Sequence, residues 1–271
     1  EFYCAEALEY IDAWKKSTPD NPCGICGPIG PTEQLPIVAQ IVNDLNINLK
    51  NCHFWGMDEW LVDGKAADIN FPLGFAKADM DLCFNRIRPD LLMPAEQIIF
   101  PTPENIKDLP KMIEDAGGIE VCYGGIGIHG HVAFNEPGPG VAESDPRILE
   151  INEFTRTIDS TRHCGVGGNL ENFPRRAITM GMKQCLSARK MLLMTRNETT
   201  TFLWANTILR IAEMIIPLRM PGSIKISVSF PIWGRPRSRS SIFEKGPGYL
   251  GATALAALTA ADRGSGRGDP V

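Results

Sequence analysis

Residues 119–138 read Ile119-Glu120-Val121-Cys122-Tyr123-Gly124-Gly125-Ile126-Gly127-Ile128-His129-Gly130-His131-Val132-Ala133-Phe134-Asn135-Glu136-Pro137-Gly138. An apolar run ending in Tyr123 opens directly into glycines, the pattern of a strand that runs into a loop. The glycines admit positive φ and a close backbone approach, which a small anionic ligand at a strand end would use. His131 exchanges protons near neutral pH. Glu136 follows five residues later, near enough for a compact turn to bring its carboxylate to the imidazole. Taken as a bare glycine-rich loop, the same stretch reads as a structural turn with two solvated histidines.

Strand and helix signals alternate on either side. Glu6 to Lys16 places Leu8, Ile11 and Trp14 on one face and predicts a helix, broken by Asp20-Asn21-Pro22. Ile25 to Ile29 predicts a short strand ending in a Gly/Pro loop. Thr32 is then the expected cap of a helix that buries Leu35, Val38, Ile41, Val42 and Leu45. Cys52 to Trp55 predicts a strand that runs into Gly56-Met57-Asp58-Glu59-Trp60. A helix is expected around 75–87 and a strand over 96–100. A further helix, capped by Thr102 with Pro103 in its first turn, carries Ile106, Leu109, Met112 and Ile113. Met191–Met194 predicts another strand, and Glu198–Ile215 a strongly apolar helix.

This alternation implies βαβ units and a Rossmann-like, three-layer α/β/α fold with a mainly parallel sheet. Ligands of such sheets bind beyond the carboxyl ends of the strands. Three expected strand ends carry the most unusual residues: 27–32, 57–59 and 124–136.

Composition narrows the class. The chain has 271 residues, 44% hydrophobic and 22% charged, enough for one large α/β domain. No run reaches the roughly 18 apolar residues of a membrane span. The N-terminus shows no basic stretch followed by an apolar core, so a cytoplasmic location is the expectation. Eight cysteines at irregular spacings read as structural thiols. Cys23 and Cys26 have CxxC spacing but no second pair to complete a metal site, so no metal is expected. Net charge is −5, unevenly spread. Residues 219–271 hold 8 Lys/Arg against 3 Asp/Glu, leaving 19 against 29 before them, and a body that acidic argues against nucleic acid as partner.

The string from Gly124 to Pro137 closely resembles the glucosamine-6-phosphate deaminase/isomerase signature GGxGxDGHxAFNEP, and Met57-Asp58-Glu59 resembles that family's second signature. The resemblance extends less tightly from about Gly27 to Leu193. It implies the fold shared by these deaminases and the ribose-5-phosphate isomerase-like proteins, and conversion of glucosamine 6-phosphate to fructose 6-phosphate and ammonia. His131 would move a proton between O5 and O1 to open the ring. Asp58 would carry a proton between C2 and C1, and Glu136 would orient His131. Gly125 and Gly127 would line the site. Gly27, Gly30 and Thr32 stand in the family's phosphate loop, although Pro28 and Pro31 have no N–H to offer. Arg162 lies a few residues upstream of the family's phosphate arginine, where this chain has Gly167. No cofactor is implied, and a homo-oligomer is expected by analogy alone.

The chain departs from the signature at several points. His129 stands where the family has Asp or Asn; it joins the catalytic candidates, but if protonated it would depress the pKa of His131. The family's phosphate-binding Lys after the strand 191–194 is missing, and Arg196 is the substitute at hand. From about Leu218 nothing matches. The expected division is therefore a sugar-phosphate domain over 1–217 and a basic, low-complexity tail over 218–271. That tail reads either as sequence from a shifted frame or as a binding segment. Two other functions compete with deamination. One is hydrolysis of a sugar-phosphate lactone, since related lactonases share a similar His-bearing loop; Phe134-Asn135-Glu136-Pro137 and Asp58 favour the deaminase. The other is a sugar-phosphate sensor without turnover.

Overall fold

A computed structural model describes residues 2–30, 32–125, 127, 130–162, 166–194, 225–230 and 239–244. The expected helix over 198–215 and Arg196 lie outside the described residues.

Strands β1 (Cys23–Gly27) and β2 (Cys52–Gly56) pair in parallel, and β6 (Ile119–Gly125) pairs in parallel with the other edge of β1. Beyond β2 lies the two-residue β5 (Ile98–Ile99). Beyond β6 come β9 (Lys190–Met194) and β10 (Lys225–Phe230), both parallel, and then β11 (Arg239–Glu244), antiparallel. The order β11-β10-β9-β6-β1-β2-β5 reverses direction between β1 and β6. Neighbouring loops diverge at such a switch point and leave a crevice at the carboxyl ends. Two segments of the stretch read above as a tail, 225–230 and 239–244, thus pair at the sheet edge.

Each face of the sheet has its own core, because successive strand residues point to opposite sides. On one face Ile25, Phe54, Val121 and Tyr123 pack against α1 (Phe2–Trp14) and α2 (Gln34–Asp44). On the other, Cys26, Trp55 and Cys122 pack against α4 (Leu109–Asp115) and α6 (Met182–Ser187). The result is the three-layer α/β/α arrangement with a mainly parallel sheet. Cys23 and Cys26 fall in different cores, so the CxxC spacing makes no redox pair, and no group of three metal-ligating side chains occurs among the described residues.

Several expected elements shift for physical reasons. The buried face of α1 is Ala7, Tyr10, Ile11 and Trp14, at i, i+3, i+4 and i+7, while Leu8 is 52% exposed. Glu33, not Thr32, precedes α2, and Leu45, past its end, is 62% exposed. Thr102 and Asn105 exchange side-chain and backbone hydrogen bonds in an isolated turn (2.8 and 3.2 Å). The helix proper begins at Leu109, with Pro110 in its first turn, where the missing N–H costs nothing. The helix expected over 75–87 is α3 (Phe75–Leu82) followed by a 3-10 turn, Phe84–Arg86. Residues 96–100 divide between the 3-10 turn Ala95–Gln97 and β5. Among the described residues no helix is long and apolar enough to cross a membrane.

A second, antiparallel sheet was not anticipated. It orders β4 (Lys65–Ala66), β3 (Asp58–Val62), β8 (Arg176–Thr179) and β7 (Arg147–Glu150). The β3/β4 hairpin turns on Asp63 and Gly64, both at positive φ (50° and 79°), the Asp-Gly pair such tight turns require. Trp60 joins this sheet to its surroundings, with ring centroids 4.8 Å from Phe75, 5.2 Å from Phe134 and 5.1 Å from Phe173. Glu59, on the same strand, caps α3. Its Oε1 accepts the N–H groups of Trp60 (2.9 Å) and Phe75 (3.1 Å), and its Oε2 that of Ala76 (2.8 Å).

Removing this carboxylate leaves helix-end donors buried without partners. Glu59→Ala is expected to lose about 2–3 kcal/mol in urea unfolding, the usual cost of unsatisfied buried groups that had a charged acceptor. Glu59→Gln, which still accepts, is expected to lose less.

Candidate active site

Strands β1, β2 and β6 end side by side, each in a glycine with no room for a Cβ: side chains crowd Gly27 and Gly56, and backbone crowds Gly125. A Cβ on Gly125 would sit 2.7 Å from the carbonyl oxygen of Gly30, so the loops after β1 and β6 are in contact. Gly30 itself has φ +131°. At Gly127 the requirement is sharper: a Cβ there would lie 1.8 Å from Nε2 of His131. The imidazole rests on the Cα of Gly127. The loop is closed by two backbone bonds, Gly127 N–H to His131 O (3.0 Å) and Gly130 N–H to Gly127 O (2.9 Å).

His131 is 8% exposed, and its Nδ1 stands 3.2 Å from Oε1 of Glu136. The approach is too oblique for a hydrogen bond, so the contact is an ion pair whenever the imidazole is protonated. The chain between them is held to β8. Phe134 N–H donates to Thr179 Oγ1 (3.3 Å), and the Asn135 amide donates to the carbonyls of Val132 (3.1 Å) and Met180 (2.9 Å). Ala133 takes a left-handed φ of 55° within this turn.

Asp58 begins β3 immediately after β2. Met57 N–H donates to Gly27 O (3.0 Å) and Met180 N–H to Met57 O (2.7 Å), linking β1, β3 and β8 at this residue. Asp58 and Thr179 are register partners, so their side chains share a face, the one on which Thr179 meets the His131–Glu136 loop. Asp58 is 7% exposed. Burial holds its carboxyl well above the usual range, and the nearby carboxylates Glu59 and Asp159 push it further. Glu59 points away to α3, as adjacent strand residues must.

The remaining candidates are distributed unevenly. Gly27 closes β1 beside Asp58's strand. Thr32 follows Gly30, and its N–H is taken by Glu33 Oε2 at 3.0 Å. Arg162 is the last residue of α5 (Glu153–Arg162); its side chain and all of His129 lie outside the described residues. The buried arginine of α5 is Arg156, whose guanidinium donates to the carbonyls of Leu170 (2.7 Å), Phe173 (3.2 Å) and Pro174 (3.1 Å) and to Glu153. It fastens the segment after α5 and has no donors left for a ligand.

Three residues important to this geometry escaped the sequence reading. Asn135 was visible only as part of the signature, Thr179 lies on an unanticipated strand, and Asp159 lies on an unanticipated helix. The alternation Arg176-Ala177-Ile178-Thr179 is weak, and burial of Ala177, Ile178 and Thr179 together hides the period of two.

A mainly parallel sheet of this strand order, with a buried carboxylate and a histidine–glutamate loop at its carboxyl ends, has counterparts among solved α/β proteins. A monomeric glucosamine-6-phosphate deaminase, described as a missing link of the NagB superfamily, superposes with a TM-score of 0.69 at 18% identity, covering 84% of this chain and 92% of that one. A 6-phosphogluconolactonase from Thermotoga maritima superposes at 0.55 and 13% identity, covering 79% and 88%. No protein-family model matches the chain. Sequence relatives are more specific. Glucosamine-6-phosphate deaminase of Shouchella clausii is 37% identical over 91 residues, 34% of this chain and 35% of that protein. The enzyme of that name from Bifidobacterium longum is 29% identical over 189 residues, 66% and 67% of the two chains. The chain thus spans about a third of the first relative's length and two thirds of the second's. In sequence the chain is similar to glucosamine-6-phosphate deaminases, and in fold to solved deaminase and 6-phosphogluconolactonase structures.

Gly127→Ala is expected to displace the imidazole while leaving the two cores intact. The melting temperature should change by only a few degrees. Any activity that uses His131 should fall by at least about 100-fold, as misplacement of a reacting group does.

Proposed function

We propose that the chain isomerises and deaminates an amino-sugar phosphate, taking glucosamine 6-phosphate to fructose 6-phosphate and ammonia. The observation that supports this is that Asp58 and the His131–Glu136 loop both adjoin Thr179, near the carboxyl ends of β1, β2 and β6. His131 moves the proton between O5 and O1 of the sugar, which opens the ring. Glu136 supports the imidazole while it is charged. Asp58 removes the proton from C2 and returns it to C1 through an enolamine; water then adds to the C2 iminium so formed, and ammonia leaves as the C2 ketone forms. A carboxylate whose burial raises its pKa is a stronger base toward a carbon acid than a solvated one. Gly27, Gly30, Thr32, Gly125 and Gly127 form the walls. Arg162 is the candidate phosphate cation. The proposed location is the cytoplasm.

A specific observation keeps a second reading open. Several solved 6-phosphogluconolactonases share the fold, so the chain is also a candidate sugar-phosphate lactone hydrolase. Ammonia release from glucosamine 6-phosphate, set beside hydrolysis of 6-phosphogluconolactone, separates the two. We expect ammonia, and its loss in Asp58→Asn with binding kept within a few fold; unchanged turnover in that variant would sink the assignment.

The base must be ionised to act, so kcat/KM is expected to fall as pH drops through the raised pKa of Asp58. The acid limb should lie above the ~4 of a solvated aspartate. Asp159→Asn removes one like charge and is expected to move that limb to lower pH. A limb unmoved by Asp159→Asn would count against Asp58 as the titrating group.

A further inference from the structure

In the loop 28–32 only Ile29, Gly30 and Thr32 carry a backbone N–H, because Pro28 and Pro31 have none. An oxyanion held by this loop therefore has three main-chain donors at most. One of the three is already occupied from within the chain. Thr32 N–H donates to Oε2 of Glu33 at 3.0 Å, and the hydroxyl of Tyr3 donates to Oε1 of the same carboxylate at 3.2 Å. Glu33 stands immediately before α2, an eleven-residue helix, so its charge is also favoured by the positive end of the helix dipole. A carboxylate, a helix start and a loop N–H are thus assembled where the loop would meet an anion. The anion is the protein's own.

We infer that Glu33 is a specificity-determining residue that competes with the phosphate of the substrate for loop 27–32. The inference rests on the proposed reading of this loop as the phosphate end of the site. An incoming phosphate must either displace the Glu33 carboxylate from Thr32 N–H or bind beside it against like-charge repulsion. In both cases phosphate affinity is set below what the loop and the helix start could provide. Substrates are then ranked more by their sugar end, where Asp58 and His131 act, than by their phosphate. Tyr3, which holds the second carboxylate oxygen, keeps Glu33 turned toward the loop.

The test uses the full chain with inorganic phosphate as the probe, and compares wild type with Glu33→Gln. The amide oxygen of the substituted side chain can still accept from Thr32, so the fold is retained and only the charge is lost; equal melting temperatures without phosphate verify this. Phosphate affinity, followed by ³¹P line broadening, is expected to rise about tenfold in the variant, the size of effect from removing one like charge a few ångströms away near the surface. The difference should shrink in high salt, which a change of loop shape would not produce. KM for glucosamine 6-phosphate should fall in parallel. Equal phosphate affinity in the two proteins, or a difference that salt does not alter, overturns the inference. Tighter, salt-sensitive phosphate binding by Glu33→Gln without ammonia from either protein upholds it and overturns the proposed reaction instead.

Discussion

Asn135 carries a double hydrogen bond on which much of the site depends. Its amide reaches the carbonyl of Val132 in its own turn and that of Met180 just past β8. The first bond shapes the turn that follows His131; the second sets the turn's position against the small antiparallel sheet. Asp58 belongs to that sheet and His131 to the loop, so the bond to Met180 registers one against the other. Phe134 reinforces the joint from both sides, donating its N–H to Thr179 and packing its ring on Trp60. Both Asn135 and Thr179 are fully buried, where a charge-neutral hydrogen bond is strengthened and a lost partner is costly.

Three buried carboxylates near this joint illustrate how surroundings divide roles among like groups. Glu59 is held by three backbone N–H groups and serves to start a helix. Asp79, on α3, is 2% exposed, and its Oδ1 has no partner among the described residues; burial, with Asp58 and Glu59 close by, raises its pKa well above the ordinary range. Asp58 lies between these extremes, desolvated and without the donor set that quiets Glu59. Desolvation without full satisfaction is the condition under which a carboxylate becomes a strong base at a pH where it still ionises.

The glycines of the site act by the absence of a side chain, and each absence has an identified neighbour. Gly125 lets the loop after β6 meet Gly30, and Gly127 gives the imidazole of His131 its seat. Together they close two loops into one surface at the switch point of the sheet. The carboxylate of Glu33 on Thr32 N–H adds a feature of a different kind, since it places negative charge at the loop after β1.

The periods of apolar residues and the punctuation by glycine and proline were enough to determine the parallel α/β architecture, because each strand and helix of the main layers buries one contiguous set of residues. The signature around His131, together with Asp58, was legible for the same local reason: its residues lie at strand ends that the alternation itself locates. The small antiparallel sheet was not legible, since its strands are two to five residues long and β3 finds β8 across more than a hundred positions of sequence. Nor could the sequence tell that Glu59 turns to a helix, that Arg156 is consumed by carbonyls, or that Glu33 sits on the loop it follows. Those are choices of side-chain partner, and partners are set by which donors and acceptors the folded chain leaves unsatisfied within reach.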